Sequence, residues 1–225
     1  MNPAFEKGGA AVYFFDLDGT LLDSNGIWLD IDIAFLGRYH IDPVPADYTE
    51  YVTHHTFPDA AAYTRDRFRL PLSPEEIAAA WQEMARRAYG EQLELKPGAR
   101  DFLLRARGAG IPCALLTSCM PALCRAALER HGLTGLLSPV LTTAELGLEK
   151  GDPALYRRVA GAFGLPPEDC ALFDDSPVAC GAARAAGWQV FGVADPIFAP
   201  RGEELARICG PGRFPFAFSD PLPLL

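Results

Sequence analysis

Lysine is nearly missing from this chain. Of 20 basic residues, only Lys7, Lys96 and Lys150 are lysine, and the other 17 are arginine. A reaction that needs a lysine amine has three candidates, and none lies between residues 24 and 95. Positive charge is scarce overall, with 29 acidic residues against those 20 and a net charge of −9. Nucleic acid and anionic membranes both call for a basic face, so neither is expected as a partner. A small anion needs only a local positive site and stays open. No run approaches the ~18 apolar residues of a membrane span. The opening MNPAFEKGGAAVYFF carries an acid and two glycines but no long apolar core, so no secretory leader is expected. The six cysteines (Cys113, Cys119, Cys124, Cys170, Cys180, Cys209) form no C-x-x-C pair. Most sit in apolar surroundings, the pattern of reduced, buried thiols in a cytoplasmic protein rather than of disulfides or a zinc site. There is no internal repeat and no low-complexity tract.

What is present describes a globular chain. Its 225 residues are 49% hydrophobic and 22% charged, which excludes global disorder. That length fits one large domain, or one domain carrying a smaller insertion.

The apolar, aromatic run Ala10–Phe15 has no helical period and reads as a buried strand ending at Asp16. The next segment has a different character. Helical patterns cover Trp28–Tyr39, Asp47–His54, Pro58–Phe68 and Pro74–Tyr89, the last opened by Ser73, Pro74 and Glu76 in capping positions. Residues 24–95 therefore read as a small helical insertion. From Lys96 strands and helices alternate. Helices are expected over Pro97–Gly108, Pro121–His131, Pro153–Phe163 and Pro177–Ala186, and strands over Pro112–Leu116, Pro139–Leu141, Cys170–Phe173 and Trp188–Val193. Asp152 and Ser176 stand ready to cap two of these helices, and Gly164 and Gly187 to close them. This alternation predicts an α/β, Rossmann-like parallel sheet with helices on both faces. An edge strand near Phe216–Phe218 is expected in the Pro- and Phe-rich tail. The predicted organisation is a core of residues 1–23 and 96–225 interrupted by residues 24–95.

Ligands of open parallel sheets bind beyond the carboxyl ends of the strands. The polar groups at those ends are Asp16-Leu17-Asp18-Gly19-Thr20, Thr117-Ser118, Lys150 and Asp174-Asp175-Ser176. Asp16 and Asp18 are two apart, so in extended backbone they point the same way and Leu17 points back. Two carboxylates that close repel, and a hard cation such as magnesium relieves the repulsion. Thr117 or Ser118 can bond an anionic oxygen, and Lys150 can neutralise a phosphate. Each group also has a plainer reading. Asp16–Thr20 can be a structural turn, Thr117 or Ser118 a cap ahead of Pro121, Lys150 a solvated lysine, and Asp174–Ser176 a helix cap.

Taken together these motifs resemble the haloacid dehalogenase superfamily. The matching stretches are FFDLDGTLLDS (Phe14–Ser24), LLTS (Leu115–Ser118), EKGDPALY (Glu149–Tyr156) and FDDSPVACGAARAAG (Phe173–Gly187). The helical insertion resembles the small cap of the branch containing beta-phosphoglucomutase and phosphoglycolate phosphatase. The resemblance implies Asp16 as the nucleophile that becomes an aspartyl-phosphate and Asp18 as the acid, then base. It implies Thr117 and Lys150 as further catalytic groups, with Leu17 and Ser118 completing the phosphate-binding set. Magnesium would be held by Asp16, the backbone carbonyl of Asp18, and Asp175, with Asp174 as an additional ligand. The family often has Lys-Pro where this chain has Lys150-Gly151.

The sequence also chooses among the family's reactions. True dehalogenases do not keep the second aspartate of the first motif, and Asp18 is present. Phosphonoacetaldehyde hydrolase uses a cap lysine, and residues 24–95 have none. A purely binding relative would have lost Asp16, Asp18 or Lys150. Two reactions remain: a phosphatase acting on a small phosphorylated metabolite, and a phosphosugar mutase. The mutase holds its sugar phosphate with a cap arginine after a Gly-x-Ser segment. Here Tyr51–Phe57 has neither glycine nor arginine, which favours the phosphatase. The insertion carries twelve acids against six arginines, unsuited to a highly charged substrate. His54 and His55 are expected toward the cleft, as substrate contacts or ordinary helix-end residues. Trp28, Phe57 and Trp81 are expected in the cap core rather than as a substrate platform. Asp23–Asn25 and Leu95–Pro97 are expected as hinges, and the chain as a monomer or weak homodimer.

Overall fold

The structure is a computed structural model that describes residues 12–53 and 55–223. Ala10 and Ala11 of the expected first strand, and His54, lie outside the described residues. The elements in order are β1 (Val12–Phe15), α1 (Ile27–Gly37), α2 (Ala46–Thr53), α3 (Phe57–Phe68) and α4 (Pro74–Arg87), which runs into a π-turn at Ala88–Gln92. There follow α5 (Ala99–Gly108), β2 (Cys113–Thr117), α6 (Pro121–Arg130), β3 (Val140–Thr142), α7 (Thr143–Leu146) and α8 (Pro153–Phe163). The chain ends through β4 (Cys170–Asp174), α9 (Pro177–Ala185), β5 (Gln189–Gly192) and α10 (Gly202–Cys209).

Two compact units emerge. One comprises the residues up to Asn25 and from Leu93 onward, the other Gly26–Gln92. In the first, five parallel strands are ordered β3-β2-β1-β4-β5. The chain winds outward from β1 through β2 to β3, then returns to add β4 on β1's other side. The gap between β1 and β4 is thus the point where strand order reverses, the position where such sheets bind ligands.

Alternation along the strands builds two cores. Val12, Phe14, Ala114, Leu116, Leu172 and Val190 pack with residues of α8, α9 and α10. The alternate residues of β1, β4 and β5 form an aromatic layer, with Phe15 4.6 Å and Phe191 5.0 Å from Phe173. Phe102 of α5 and Phe216 of the tail cover that layer, 5.6 and 5.0 Å from Phe173. The tail is not the edge strand expected at Phe216–Phe218. A single bridge joins Val193 to Phe216, and Phe216 N–H donates to Gly192 O at 2.8 Å. Pro215 brings no N–H to a ladder, so pairing stops there. Helix α10, which the sequence reading did not expect, fills the flank beyond β5 with Leu205 and Cys209.

The residues flanking the other unit are tied into the sheet unit. Asp23 N–H donates to Glu94 O, and Lys96 N–H to Leu21 O. The Lys96 ammonium lies 2.7 Å from Asp195 Oδ2 and 2.8 Å from Ala194 O. Arg130 and His131 both grip Leu93 O.

The Gly26–Gln92 unit is helical throughout. Ser73 and Glu76 form the capping box on α4, with Glu76 N–H to Ser73 Oγ at 3.2 Å and Ser73 N–H to Glu76 Oε2 at 2.7 Å. Trp81 is buried in its core, but Trp28 is 41% exposed, contrary to expectation. Phe57 packs edge-on to both. His55 is exposed, stacked 3.7 Å from the Tyr51 ring with Nδ1 on the Tyr51 carbonyl. Asp32 is buried in this unit and accepts a bond from the Tyr48 hydroxyl at 3.2 Å. Among the described residues no helix is long and apolar enough to cross a membrane.

Candidate active site

Three strand ends meet at the switch point. Asp16 follows β1, its N–H donating to Phe173 O. Thr117 ends β2, and Asp174 ends β4 with Asp175 next. Lys150, from the turn before α8, reaches into the gap. Its ammonium lies 2.7 Å from Asp16 Oδ1 and 2.7 Å from Asp174 Oδ2. The lysine side chain is only 12% exposed and that of Asp174 is fully buried, so the solvated-surface reading of Lys150 is excluded. The Tyr156 hydroxyl donates to Lys150 O at 3.0 Å and fixes the turn that presents it.

The remaining groups are held individually. Asp174 Oδ1 accepts the Ser176 N–H at 2.8 Å, while Ser176 Oγ caps α9 by accepting from Ala179 N–H. Asp175 Oδ1 accepts from Thr20 Oγ1 at 3.2 Å, and Oδ2 from Asn25 Nδ2 at 2.8 Å. Ser24 Oγ donates to Asp18 Oδ1 at 2.6 Å. Thr117 is buried and its Oγ1 accepts Cys119 N–H at 3.1 Å, which leaves its own hydrogen to donate. Neither Thr117 nor Ser118 caps α6, whose cap position is Met120 with no side-chain bond. Ser118 is exposed, and Leu17 is fully buried. The structure therefore brings Asp16, Asp174, Asp175 and Lys150 together, with Asp18 and Thr117 on the adjoining loop and strand end.

Sequence reasoning missed Thr20, Ser24 and Asn25 as partners of the aspartates. It placed Ser24 and Asn25 in a hinge, because nothing in local sequence connects residue 25 to residue 175.

The electrostatics are those of crowded carboxylates. Burial alone would push the Lys150 ammonium toward neutrality. The charges of Asp16 and Asp174 outweigh burial and hold its pKa above the ordinary lysine value. Burial and the Asp16 charge push Asp174 up to about 6, against the pull of Lys150. Burial and the charges of Asp174 and Asp16 push Asp175 up to about 7. Carboxylate oxygens of Asp16, Asp174 and Asp175 all lie within 4.8 Å of one another. Asp16 Oδ1 is buried, and the Lys150 ammonium 2.7 Å away is the partner that meets it. One ammonium does not balance three carboxylates, and hard oxygen donors at this separation fit a hard divalent cation.

All six cysteines are free and buried. A bond with Cys124, burial and the nearby Asp18 carboxylate push the Cys119 thiol far up, so it is no thiolate nucleophile.

This geometry agrees with the likeness to known proteins. The haloacid dehalogenase-like hydrolase family model matches residues 10–187. Hexitol phosphatase A of Escherichia coli is 32% identical over 197 residues, covering 86% of this chain and 87% of that protein. Phosphoserine phosphatase of Thermus thermophilus is 39% identical over 118 residues, which is 52% of this chain and 38% of that protein. A crystal structure from Thermotoga maritima, assigned as a beta-phosphoglucomutase, superposes with a TM-score of 0.76. It is 22% identical and the match covers 89% of this chain and 92% of that one.

Proposed function

The chain belongs to the haloacid dehalogenase-like hydrolase family, and from that premise we propose that it is a magnesium-dependent phosphatase of a small phosphorylated metabolite. The observation that carries this reading is Asp16 at the end of the central strand, its carboxylate 2.7 Å from a buried ammonium. An Asp16 oxygen attacks phosphorus, the ester P–O bond breaks, and an aspartyl-phosphate forms. Asp18, oriented by Ser24, gives its proton to the leaving oxygen. It then takes a proton from the water that hydrolyses the aspartyl-phosphate, which restores Asp16 and releases inorganic phosphate. Thr117 donates its hydroxyl hydrogen to a phosphoryl oxygen, and the backbone at Leu17 and Ser118 supplies further donors. Lys150 stabilises the charge shared by Asp16 and the transferring group. Magnesium would be held by Asp16, the Asp18 carbonyl and Asp175, with Asp174 beside them, and when bound would neutralise charge on the phosphoryl oxygens.

We read the Gly26–Gln92 unit as the cap that selects the metabolite. Two of the three arginines near the expected mutase position are already engaged, since Arg65 pairs with Asp66 at 2.7 Å and Arg67 with Asp47 at 2.8 Å, while Arg69 is exposed. That supports hydrolysis over mutase chemistry.

The test is phosphate release from a panel of sugar phosphates, phosphoglycolate and nucleotides, with and without magnesium. Release is expected only with the metal, and Asp16→Asn is expected to lower it by at least about 10⁴-fold. Isomerisation of a phosphosugar with no phosphate released would establish the mutase instead.

A further inference from the structure

We propose that Asn25 is a positioning residue for the cation site, holding the Asp175 carboxylate in place to serve as a ligand. The inference rests on the cation reading of the aspartate cluster. Its own support lies in how Asp175 is held.

The two sides of the cluster are managed differently. Lys150 brings a full positive charge to Asp16 and Asp174. Asp175 has no ion pair among the described residues. Its oxygens are instead each met by one neutral donor, Oδ1 by Thr20 and Oδ2 by Asn25. A carboxylate has about four acceptor directions, so these bonds and the one from the Asp175 backbone still leave room for a cation. A neutral amide fixes the carboxylate's orientation without competing with a cation for its charge.

The loop is shaped around this contact. Gly19 has φ +70°, and a Cβ there would lie 2.1 Å from Asn25 Nδ2 and 2.2 Å from Asp175 Oδ2. The amide–carboxylate bond therefore passes directly over the Gly19 α-carbon, where only glycine leaves room. The Gly19 N–H donates to Ser24 Oγ at 3.3 Å and so fixes the backbone just before Asn25. Thr20 and Asn25 thus both donate to one carboxylate, 155 and 150 positions away, with Gly19 leaving room for the second bond. Partners that orient a ligating carboxylate typically hold about 10–100-fold of metal affinity.

The test is direct titration of metal-stripped full-length protein with manganese, following free manganese by electron paramagnetic resonance. Asn25→Leu keeps the side chain's shape and removes the donor. Asn25→Ala repeats the test should leucine disturb folding, and thermal unfolding without metal is recorded for each. The wild type is expected to bind, and both variants to bind about 10–100-fold more weakly. The magnesium concentration for half-maximal phosphate release should rise by the same factor. Lower thermal stability with manganese affinity within twofold of wild type would overturn the proposal, since Asn25 would then only pin the loop. That outcome leaves the cation reading intact. A wild type that binds no manganese would overturn both.

Discussion

Lys150→Met is expected to cost the protein both its activity and much of its stability. The ammonium is the one cation in contact with Asp16 and Asp174 among the described residues, at 2.7 Å from each. It is buried, so solvent cannot replace it. Removing it leaves uncompensated buried carboxylates, which typically costs about 3–5 kcal/mol. The phosphatase rate should fall by at least about 10²–10³-fold, the usual loss when a single preorganised electrostatic group is removed from a reacting centre. Unfolding in urea at pH 8 and the rate of phosphate release together check this. A variant as stable as the wild type would mean that the carboxylates are neutral or solvated, contrary to their burial. A stable variant that kept its rate would remove Lys150 from the site.

The second large effect is expected in the other unit. Asp32→Asn should stabilise the Gly26–Gln92 unit at neutral pH. Asp32 is buried with a single neutral partner, Tyr48, which itself meets the Thr64 hydroxyl at 3.0 Å. Burial pushes its pKa from the ordinary 3.8 up to about 6, only partly opposed by the Tyr48 bond. The folded value lies above the unfolded one, so the folded unit binds the proton more tightly. The stabilisation this provides is complete below about pH 4 and lost as pH rises through about 6. The gap corresponds to about 3 kcal/mol between the two limits. Asparagine carries no charge to desolvate. The variant should therefore unfold at a higher temperature than wild type at pH 8, and with little difference near pH 4. An equal difference at both pH values, or a less stable variant at pH 8, would show that Asp32 is not a buried charge at neutral pH.

These two carboxylate sites also mark how far the sequence could be read. The reacting groups were legible because parallel sheets place them after strands that announce themselves. The aromatic run before Asp16 and the apolar run Cys170–Phe173 before Asp174 are such strands. Helix α8 matched its expected limits, Pro153–Phe163, because Asp152, Pro153 and Gly164 punctuate it. Lys150 stood out through its place just before the helix at Pro153 and through the rarity of lysine. The supporting contacts were not legible. Asn25 meets Asp175, Lys96 meets Asp195 and Tyr48 meets Asp32 through folding, with no periodicity or spacing to record it. Helix α10 was not read from its short sequence GEELARIC, and the Pro- and Phe-rich tail after it was read as an edge strand. Those phenylalanines serve instead as cover for the aromatic face of the sheet.

The central claim is that Asp16 carries the phosphoryl group. The most direct measurement is an acid quench during turnover of the fastest substrate in the panel, followed by digestion and mass spectrometry. The account predicts a phosphoryl increment on the peptide containing Asp16, absent from the Asp16→Asn variant. Rapid phosphate release with no modified peptide, or with the phosphoryl group on another residue, would contradict it.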